Sequence, residues 1–385
     1  MRGPARATAL KLLTVSNFFD THRGGLEIVA GRLAAELAAR GLDVTWLASD
    51  ATPPSPGGGV RTVAVRTWNV AERRLGVPWP LLGPSAIDRI WRETAAADAV
   101  LLHDSLYMTS IVAAAAARAH GKPLVVVQHI GLVPYRNPLL KALMTLGNAC
   151  VARPILAGAS QVVFISQFVQ GYFARTRFRR PPMLVFNGVD SRVFRPATAG
   201  ERAVARTRRG IGADDRVALF VGRFVEKKGV ELLRRVAASR PDVTFAFAGW
   251  GMIDPAGWGF PNVRVFAGLE GESLAALYQA SDVLVLPSQG EGFPLVVQEA
   301  LACGLAVVCG AETTTADPCA AELLRGVEVE GDPDAAAQRI AIALDAALAD
   351  SSPEQAARRA AFAEARYSWS AAADSYAATL TELAA

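Results

Sequence analysis

Short apolar runs alternate with helical segments along most of the chain, and this alternation constrains the fold more than any other feature. The first-half runs are continuous stretches of Val, Leu and Phe, as in KLLTVSN (11–17) and PLVVVQHI (123–130). Uninterrupted apolar runs are typical of strands buried on both faces of a parallel sheet. The other runs predicted as strands in this half are 43–49, 99–105, 161–167 and 183–189. Strands that alternate with helices predict an α/β fold built from right-handed βαβ units.

A second series of the same kind follows a polar, Arg-rich stretch at 197–215. Its predicted strands are RVALFVGRF, VTFAFAGWG, NVRVFAG, DVLVLPS and LAVVCG. A chain of 385 residues is long for one core, so we predict two doubly wound parallel-sheet domains that face each other across a central cleft. Ligands of such sheets bind beyond the carboxyl ends of the strands. The predicted domains are 1–195 and 196–365, with 366–385 a C-terminal helix that packs back on the first domain.

Composition and missing motifs exclude several classes of protein. With 51% hydrophobic and 20% charged residues the chain is a folded globular protein, and a net charge of +4 with scattered arginines gives no argument for nucleic-acid binding. Four cysteines without a C-x-x-C pair and four histidines without metal-ligand spacing predict a reducing compartment and no metal site. The N-terminal apolar run is interpreted as the first strand, not as a signal peptide. The G-x-G-x-x-G fingerprint does not follow that strand, which argues against a dehydrogenase.

The segment EGFPLVVQEALACG contains two carboxylates separated by seven residues. Glu291 lies in a Gly- and Pro-containing loop, and Glu299 lies in an apolar run that is predicted to be a helix. A loop carboxylate, exposed backbone amides and a helix N-terminus can together hold a polar anionic ligand such as a nucleotide sugar. A surface loop that enters a core helix, with Glu299 solvated, explains the same spacing equally well.

Two cations follow the first strand of the second series. Arg223 comes directly after the apolar run and Lys228 precedes the next helix. A planar guanidinium and a compact ammonium could together clamp a diphosphate. Two solvated loop residues would give the same pattern.

Four residues of the first half lie at or after the carboxyl ends of predicted strands. Gly24 and Gly25 would let backbone amides approach a phosphate at a helix start, or would simply form a tight turn. His103 and His129 each end a strand, where a histidine could hydrogen-bond a sugar or acceptor hydroxyl. A buried structural histidine is the alternative at both positions.

Taken together and in this order, these segments resemble the retaining glycosyltransferases of family 4 (glycosyl transferases group 1), which have the GT-B fold. The resemblance covers nearly the whole chain, and its motifs are the Gly24–Gly25 loop, VVVQH, FISQF, NGVD, GRFVEKKG, SDVLVLPS, EGFPLVVQEALACG and the final WSAAADSY helix. Three segments depart from the family pattern. The chain has GFP where GFG is common, GLAVV where GLPVV is frequent, and AETTTADP in place of a glycine-rich GGxxE segment.

The resemblance implies a role for each of these side chains. Arg223 and Lys228 would neutralise the donor diphosphate, Glu299 would accept hydrogen bonds from the ribose hydroxyls, and Glu291 would face the hydroxyls of the donor sugar. His129 would lie beside the transferred sugar. The implied catalytic residues are His129, Glu291, Arg223 and Lys228. The implied donor-binding residues are Gly25, Gly222, Arg223, Lys228, Glu291, Gly292, Phe293, Pro294, Leu295, Val296 and Glu299.

The resemblance implies that residues 1–195 form the acceptor-binding domain and residues 196–365 the nucleotide-sugar donor-binding domain. The acceptor residues are assigned with less detail, to Gly24 and His103. The implied reaction moves a hexose from a UDP-, GDP- or ADP-linked sugar to a hydroxyl of a glycan or lipid-linked saccharide, with no metal and no cofactor. The expected context is cell-surface polysaccharide or glycolipid synthesis. Two alternatives remain open, a nucleotide-sugar 2-epimerase of the same fold and a non-catalytic nucleotide-sugar-binding subunit.

One apolar segment bears on location. Residues 139–159 are long and apolar, but Lys141, Asn148, Arg153 and Pro154 interrupt them, so we do not expect them to span a membrane. Residues 136–158 could lie on an anionic membrane surface, or could form a helix packed on the first sheet. We therefore expect a cytoplasmic protein. A peripheral contact with the inner face of the plasma membrane is a second hypothesis.

Overall fold

The computed structural model describes residues 9–22, 24–55, 57–68, 80–131 and 138–385. Its contacts divide the chain into two units. The first unit comprises Met1–Ile165, Val169–Val185 and Trp369–Ala385, and the second comprises Ser166–Phe168 and Phe186–Ser368. The chain therefore changes unit after Val185, whereas the sequence placed the domain boundary after residue 195. The C-terminal helix groups with the first unit.

The first unit contains a seven-stranded sheet in the order β3-β2-β1-β6-β7-β8-β9, and every neighbouring pair in it is parallel. Strands β4 and β5 form a separate antiparallel pair. The strands are β1 (Lys11–Val15), β2 (Asp43–Ser49), β3 (Arg61–Val65), β4 (Thr67–Trp68), β5 (Leu81–Leu82), β6 (Ala99–His103), β7 (Leu124–Gln128), β8 (Gln161–Phe164) and β9 (Met183–Leu184). Every residue of the central strands β6, β7 and β8 is buried, as their uninterrupted apolar sequence predicts.

Within the described ranges, seven helices accompany this sheet: α1 (Gly25–Ala39), α2 (Pro84–Ala96), α3 (Met108–Ala119), α4 (Pro138–Gly147), α5 (Arg153–Gly158), α6 (Gln167–Tyr172) and α14 (Trp369–Ala384). The first two residues of α6 group with the second unit. Helix α4 continues into α5 through a π-helical turn at Asn148–Ala152. Pro154 has no N–H to donate, so a widened turn before it accommodates the missing bond. Helix α14 is tied to α1 by Arg40, whose Nε donates to Asp374 Oδ1 at 2.7 Å.

The second unit contains a six-stranded parallel sheet in the order β12-β11-β10-β13-β14-β15. Its strands are β10 (Arg216–Phe224), β11 (Val243–Gly251), β12 (Val263–Phe266), β13 (Val283–Leu286), β14 (Ala306–Gly310) and β15 (Leu324–Val327). Its helices are α7 (Ala199–Arg208), α8 (Val230–Ser239), α9 (Gly271–Ala280), α10 (Leu295–Ala302), α11 (Ala311–Thr314), α12 (Pro333–Ala349) and α13 (Pro353–Arg366). Two parallel α/β sheets confirm the predicted fold class.

Each sheet reverses its strand order beside its first strand. In the first sheet β1 lies between β2 and β6, and in the second β10 lies between β11 and β13. The loops that leave the carboxyl ends of the two strands flanking such a reversal run in opposite directions and leave a crevice between them. In the second unit these are the loops after β10 and β13. These two loops approach each other closely. A Cβ added to Gly229 would lie only 2.3 Å from the Pro287 carbonyl oxygen.

The structure also contains elements that the sequence did not predict. Strands β3 and β15 were not expected, and only Met183–Leu184 of the predicted strand at 183–189 is a strand. The Arg-rich stretch at 197–215 contains helix α7. This helix begins at a capping box, in which the Thr198 side chain accepts from the Glu201 amide and the Glu201 carboxylate accepts from the Thr198 amide.

Candidate functional site

The loops after β10 and β13 bring Lys228 and Glu291 together. Lys228 lies in a 3₁₀ turn at Glu226–Lys228, and its Nζ donates to Glu291 Oε2 at 2.7 Å. Lys227 Nζ lies 3.6 Å from the other oxygen, Oε1. The side chains of Lys228 and Glu291 are each only 14% exposed. The Glu291 carboxylate is therefore held in an ion pair and is not a solvated surface group.

Electrostatics keep Glu291 ionised. Burial alone would raise its pKa, but the positive charges of Lys228, Lys227 and Arg223 outweigh burial and hold the pKa at about 2. Burial is also the largest influence on Lys227, and it lowers the pKa of that ammonium. The cluster carries three cations and one carboxylate, so it has an excess of positive charge at neutral pH.

Arg223 supplies the cation that no carboxylate neutralises directly. It is the penultimate residue of β10 and follows Gly222. Its guanidinium has no hydrogen bond or ion pair with any residue in the described part of the chain, although it acts on Glu291 through its charge. Gly222 pairs in register with Gly249 of β11, where a Cβ would lie 1.9 Å from the Gly222 carbonyl oxygen. The strand ends that present Arg223 therefore pack closer than side chains would permit.

The segment that follows Glu291 forms the entry to α10. Gly292, Phe293 and Pro294 are buried, and Pro294 is the N-cap residue of the helix. The Phe293 ring is anchored by an edge-to-face contact with Tyr367, at a centroid distance of 5.5 Å. The amides of Leu295 and Val296 lie in the first helical turn, where N–H groups have no intrahelical acceptor. They are available to an anion or a hydroxyl.

Glu299 lies in α10 beneath this entry and is half-buried. The Tyr278 hydroxyl, from α9, donates to Glu299 Oε2 at 2.8 Å. Burial raises the pKa of Glu299 to about 7, although the Tyr278 bond favours the ionised form. The Cys303 thiol is a further titratable group that interacts with Glu299, and burial keeps its pKa well above the ordinary range.

The segment AETTTADP, which departs from the family pattern, also reaches this edge of the sheet. Glu312, in the short helix α11, accepts a hydrogen bond from the Gly290 amide at 3.0 Å through Oε2. A second carboxylate thus lies against the loop that carries Glu291. An amide that could have faced a phosphate is already bonded to a side chain of this protein.

In the first unit the two predicted histidines meet at the ends of neighbouring strands. His103 ends β6, His129 follows β7, and His103 Nδ1 lies 3.2 Å from His129 Nε2. Burial lowers the pKa of His129 to about 3 and, with the neighbouring His129, lowers the pKa of His103 well below its ordinary value. Both rings are therefore neutral at pH 7. Since Nε2 of His129 is engaged with His103, Nδ1 is the nitrogen left for any other partner.

A second set of polar contacts lies at the same two strand ends. Gln128 Nε2 donates to Asp104 Oδ1 at 2.7 Å, and Ser105 Oγ donates to Gln128 Oε1 at 2.7 Å. Asp104 has a φ of +68°, a left-handed conformation that Asp tolerates better than most residues. Burial raises its pKa to about 6. The sequence shows HDS and QH at two strand ends, but only the structure shows which of their side chains contact one another.

The two glycines after β1 differ in their surroundings. A Cβ on Gly24 would lie 2.0 Å from Glu27 Oε2, so a carboxylate already covers this position. Gly25 begins α1, and a Cβ there would have no described atom within 4 Å. The space beside the Gly25 Cα is therefore open among the described residues, whereas the Glu27 carboxylate occupies the space beside Gly24. Within the described ranges, no group of three or more His, Cys, Asp or Glu side chains is placed to hold a metal ion.

Two family descriptions together match most of the chain. Residues 23–193 match Glycosyltransferase Family 4, and residues 201–364 match Glycosyl transferases group 1. The chain belongs to the family 4 glycosyltransferases and has the GT-B fold. The predicted family and fold are confirmed, and the protein is a glycosyltransferase.

Two relatives share one description. The D-inositol 3-phosphate glycosyltransferase of Frankia alni (strain DSM 45986 / CECT 9034 / ACN14a) is 28% identical over 343 residues, which span 79% of this chain and 82% of that protein. The enzyme of the same description from Mycobacterium tuberculosis (strain ATCC 25177 / H37Ra) is 36% identical over 144 residues, but the match spans only 33% of this chain and 28% of that protein.

Solved structures share the fold over nearly the whole glycosyltransferase chain. The sucrose-phosphate synthase of Thermosynechococcus elongatus superposes with a TM-score of 0.73 at 20% identity, covering 97% of this chain and 99% of that one. Anabaena HepE in complex with UDP-glucose superposes with a TM-score of 0.71 at 18% identity, covering 97% and 100%. At these identities the likeness concerns the fold.

Proposed function

We propose that this glycosyltransferase moves a hexose from a nucleotide-diphosphate sugar to an acceptor hydroxyl with retention of configuration and without a metal ion. The observation that carries the proposal is the cluster of Arg223, Lys227 and Lys228 around Glu291 at the strand-order reversal of the second sheet. Three cations around one carboxylate leave a positive charge excess that suits a diphosphate. The UDP-glucose bound to Anabaena HepE, which shares the fold, supports a donor of this kind.

Each group has a place in the proposed donor site. The Arg223 guanidinium, which has no partner among the described residues, would bind the diphosphate together with Lys228. Glu291 would accept hydrogen bonds from hydroxyls of the sugar, and its ionised state suits that role. Glu299 would accept hydrogen bonds from the ribose, and the amides at the start of α10 would face sugar and phosphate.

The chemistry needs charge stabilisation more than proton transfer from the protein. When the bond between the anomeric carbon and the diphosphate oxygen breaks, negative charge develops on the leaving group, where Arg223 and Lys228 would stabilise it. The acceptor oxygen would form its bond to the anomeric carbon on the same face, and its proton would pass to the departing diphosphate. His129 is neutral and could donate or accept one hydrogen bond to the sugar through Nδ1.

A donor panel tests the proposal. UDP-, GDP- and ADP-linked hexoses would be incubated with lipid-linked and free glycan acceptors in EDTA, and the anomeric products followed by proton NMR. We expect one donor to be consumed with retention of configuration. Lys228→Met and Glu291→Gln should each lower kcat/KM by about 10²–10³-fold, the cost of losing one preorganised electrostatic contact to a transition state. Arg235→Met, which removes an exposed ion pair with Asp334 in the same unit, is the matched control.

The outcomes separate the alternatives. Turnover that both site variants leave unchanged would refute the residue assignment, and inversion of configuration would refute the mechanism. Conversion of the donor to its 2-epimer without an acceptor would identify an epimerase. Donor binding with no turnover for any acceptor would favour a binding subunit.

We also propose that the first unit contacts an anionic membrane surface through the segment Pro138–Gly158. By length and hydropathy this 21-residue segment could cross a membrane, and only 17% of its most apolar window is buried. That it does not cross remains a prediction. Leu139, Leu143 and Leu146 are 74%, 47% and 59% exposed and are spaced to share one helix face. Solvent exposure of this face disfavours the alternative of a helix packed wholly on the sheet.

Basic side chains adjoin this helix. Arg153, in α5, donates to the Thr176 hydroxyl at 3.3 Å, which places the helix beside the segment that carries the exposed Arg175, Arg177 and Arg179. Apolar side chains flanked by cations are the combination that binds anionic lipid surfaces. The four cysteines are free thiols, which suits the reducing inner side of the membrane.

Vesicle sedimentation tests the contact. The protein should sediment with vesicles containing anionic phosphatidylglycerol at low salt but not with neutral phosphatidylcholine vesicles. Leu139→Ser combined with Leu143→Ser should abolish sedimentation, whereas Ile342→Ser, which removes an exposed apolar residue from α12 of the other unit, should not. Equal sedimentation of all three proteins, or of none, would contradict the proposal.

A further inference from the structure

Tyr278 is a buried residue whose one polar atom is directed at a proposed ligand-binding side chain. It lies on α9 and is 0% exposed, and its hydroxyl donates to Glu299 Oε2 at 2.8 Å. The Val296 carbonyl oxygen is 3.4 Å from the same hydroxyl and is the weaker acceptor. Burial raises the pKa of Tyr278 well above its ordinary value, so the phenol stays protonated and stays a donor.

The ring of Tyr278 is fixed by its surroundings. The Phe194 ring packs edge-to-face against it at a centroid distance of 5.7 Å. The ring is fully buried and packed against a second ring, which limits how far the hydroxyl can move. The hydrogen bond therefore constrains the direction of the Glu299 carboxylate and does not simply follow it.

The hydrogen bond from Tyr278 occupies only one of the two Glu299 carboxylate oxygens. Oε2 accepts from Tyr278, and the Glu299 side chain has no other hydrogen bond within the described residues. Oε1 and the second lone pair of Oε2 remain available to a ligand. A carboxylate whose rotation is restricted in this way can accept two vicinal hydroxyls with little further loss of side-chain freedom.

We propose that Tyr278 is a positioning residue for ribose recognition, which holds the Glu299 carboxylate in the orientation that accepts the 2′- and 3′-hydroxyls of the donor nucleotide. This rests on the proposed donor site. A tyrosine that only satisfies its own buried hydroxyl would stabilise the fold without discriminating between ligands. The two roles are distinguished by a ligand that lacks the ribose hydroxyls.

Calorimetric titration with UDP, GDP and ADP, and with the 2′,3′-dideoxy form of each, provides the comparison. The substitution is Tyr278→Phe, which removes one oxygen and keeps the ring. We expect about a tenfold loss of affinity for the preferred ribonucleotide, the scale of one hydrogen bond to a charged group. We expect no change for its dideoxy analogue. Glu299→Gln should act in the same direction.

Tyr367→Phe is the matched control, because Tyr367 is also buried in the second unit and its hydroxyl also donates to a carboxylate, Asp317 Oδ2 at 2.9 Å. This control should leave the ratio of ribonucleotide to dideoxynucleotide affinity unchanged. If Tyr278→Phe does not fold, Phe194→Leu gives a second test, since it removes the edge-to-face contact on the Tyr278 ring while leaving Tyr278 and Glu299 unaltered.

Equal weakening of the ribonucleotide and the dideoxy analogue, or no weakening of either, would overturn the assignment of Tyr278. Failure of the unaltered protein to bind any of the three nucleoside diphosphates would instead refute the proposed donor site. The two failures are thus distinguishable in one set of titrations.

Discussion

Replacing Lys228 with methionine removes one charge from the ion pair that organises the candidate site. Lys228 Nζ and Glu291 Oε2 are 2.7 Å apart and both side chains are 14% exposed. Unit charges at this distance attract by about 6 kcal/mol at an effective dielectric constant of about 20. Loss of hydration cancels much of this. The pKa of Glu291 is about 2 against an ordinary 4.5, so at about 1.4 kcal/mol per pH unit the cations favour the ionised form by about 3 kcal/mol net.

We therefore expect Lys228→Met to lower the free energy of unfolding by about 2–3 kcal/mol at pH 7. Lys227, at 3.6 Å from Glu291, keeps the loss from being larger. The double substitution with Glu291→Gln should cost no more than Lys228→Met alone, because it leaves no unpaired buried carboxylate. A coupling energy of about 2 kcal/mol between the two positions is expected. Urea unfolding followed by tryptophan fluorescence measures all four proteins, with each transition fitted separately.

The pH dependence supplies an independent sign. Because the pKa of Glu291 is lower in the folded protein than in the unfolded chain, its stabilisation is present above pH 4.5 and is lost as the pH falls through 2. Glu291→Gln should remove this contribution to the acid slope. The exposed-pair control Arg235→Met should change stability by less than about 0.5 kcal/mol. Additive losses in the double variant, or an unchanged stability of Lys228→Met, would refute the reasoning.

Two further predictions concern the free energy of unfolding, and a third concerns ligand affinity measured by calorimetric titration. Gly229→Ala should destabilise the protein by about 2 kcal/mol or more, because the φ of Gly229 is +73° and the added Cβ would lie 2.3 Å from the Pro287 carbonyl oxygen. Gly259→Ala is the control, since Gly259 has a φ of +72° but open space around the added Cβ. It should cost only about 1 kcal/mol of unfolding free energy, measured with urea. The pKa of His129, about 3, lies below that of a histidine in the unfolded chain, so the contribution of His129 to stability is present above pH 6.5 and is lost as the pH falls. His129→Gln should therefore reduce the slope of the unfolding free energy against pH, between pH 6 and pH 4, by about 1.4 kcal/mol per pH unit. Because the pKa of Glu299 is about 7 and ribose hydroxyls bind its ionised form, the affinity ratio of ribonucleotide to dideoxynucleotide should rise from pH 6 to pH 8, and a constant ratio would contradict that role.

The sheets could be predicted because their central strands have uninterrupted apolar sequences. Runs such as LVVVQ in β7 are buried along their whole length and were recognised from composition alone. Strand β3 was missed because it is an outer strand, and its residues alternate between exposed and buried instead of forming such a run. The short strand β15 was missed because it contains Arg325 and Gly326, which interrupt its apolar sequence. By contacts the chain changes unit after Val185, and composition alone does not show where a chain leaves one core for another.

The candidate site was predictable where residues follow strands and not where it depends on distant pairs. Lys228 and Glu291 were singled out separately, but their ion pair is a contact between loops 63 residues apart. Tyr278 was missed because a tyrosine in an amphipathic helix resembles any core residue until its hydroxyl is seen against Glu299. Lys227 was missed because one lysine of a KK pair matches the family pattern and the other appears incidental. Spatial proximity supplies what the linear pattern omits.

The central claim is that the cations of the second unit bind the diphosphate of the donor. Isothermal titration of UDP, GDP and ADP in EDTA, with the unaltered protein and with Arg223→Met, tests it most directly. The account predicts that one nucleoside diphosphate binds without metal, and that Arg223→Met weakens it by about tenfold or more through loss of a charged hydrogen bond, while the corresponding nucleoside binds both proteins equally. Binding that needs a divalent metal ion, or that Arg223→Met leaves unchanged, would contradict it.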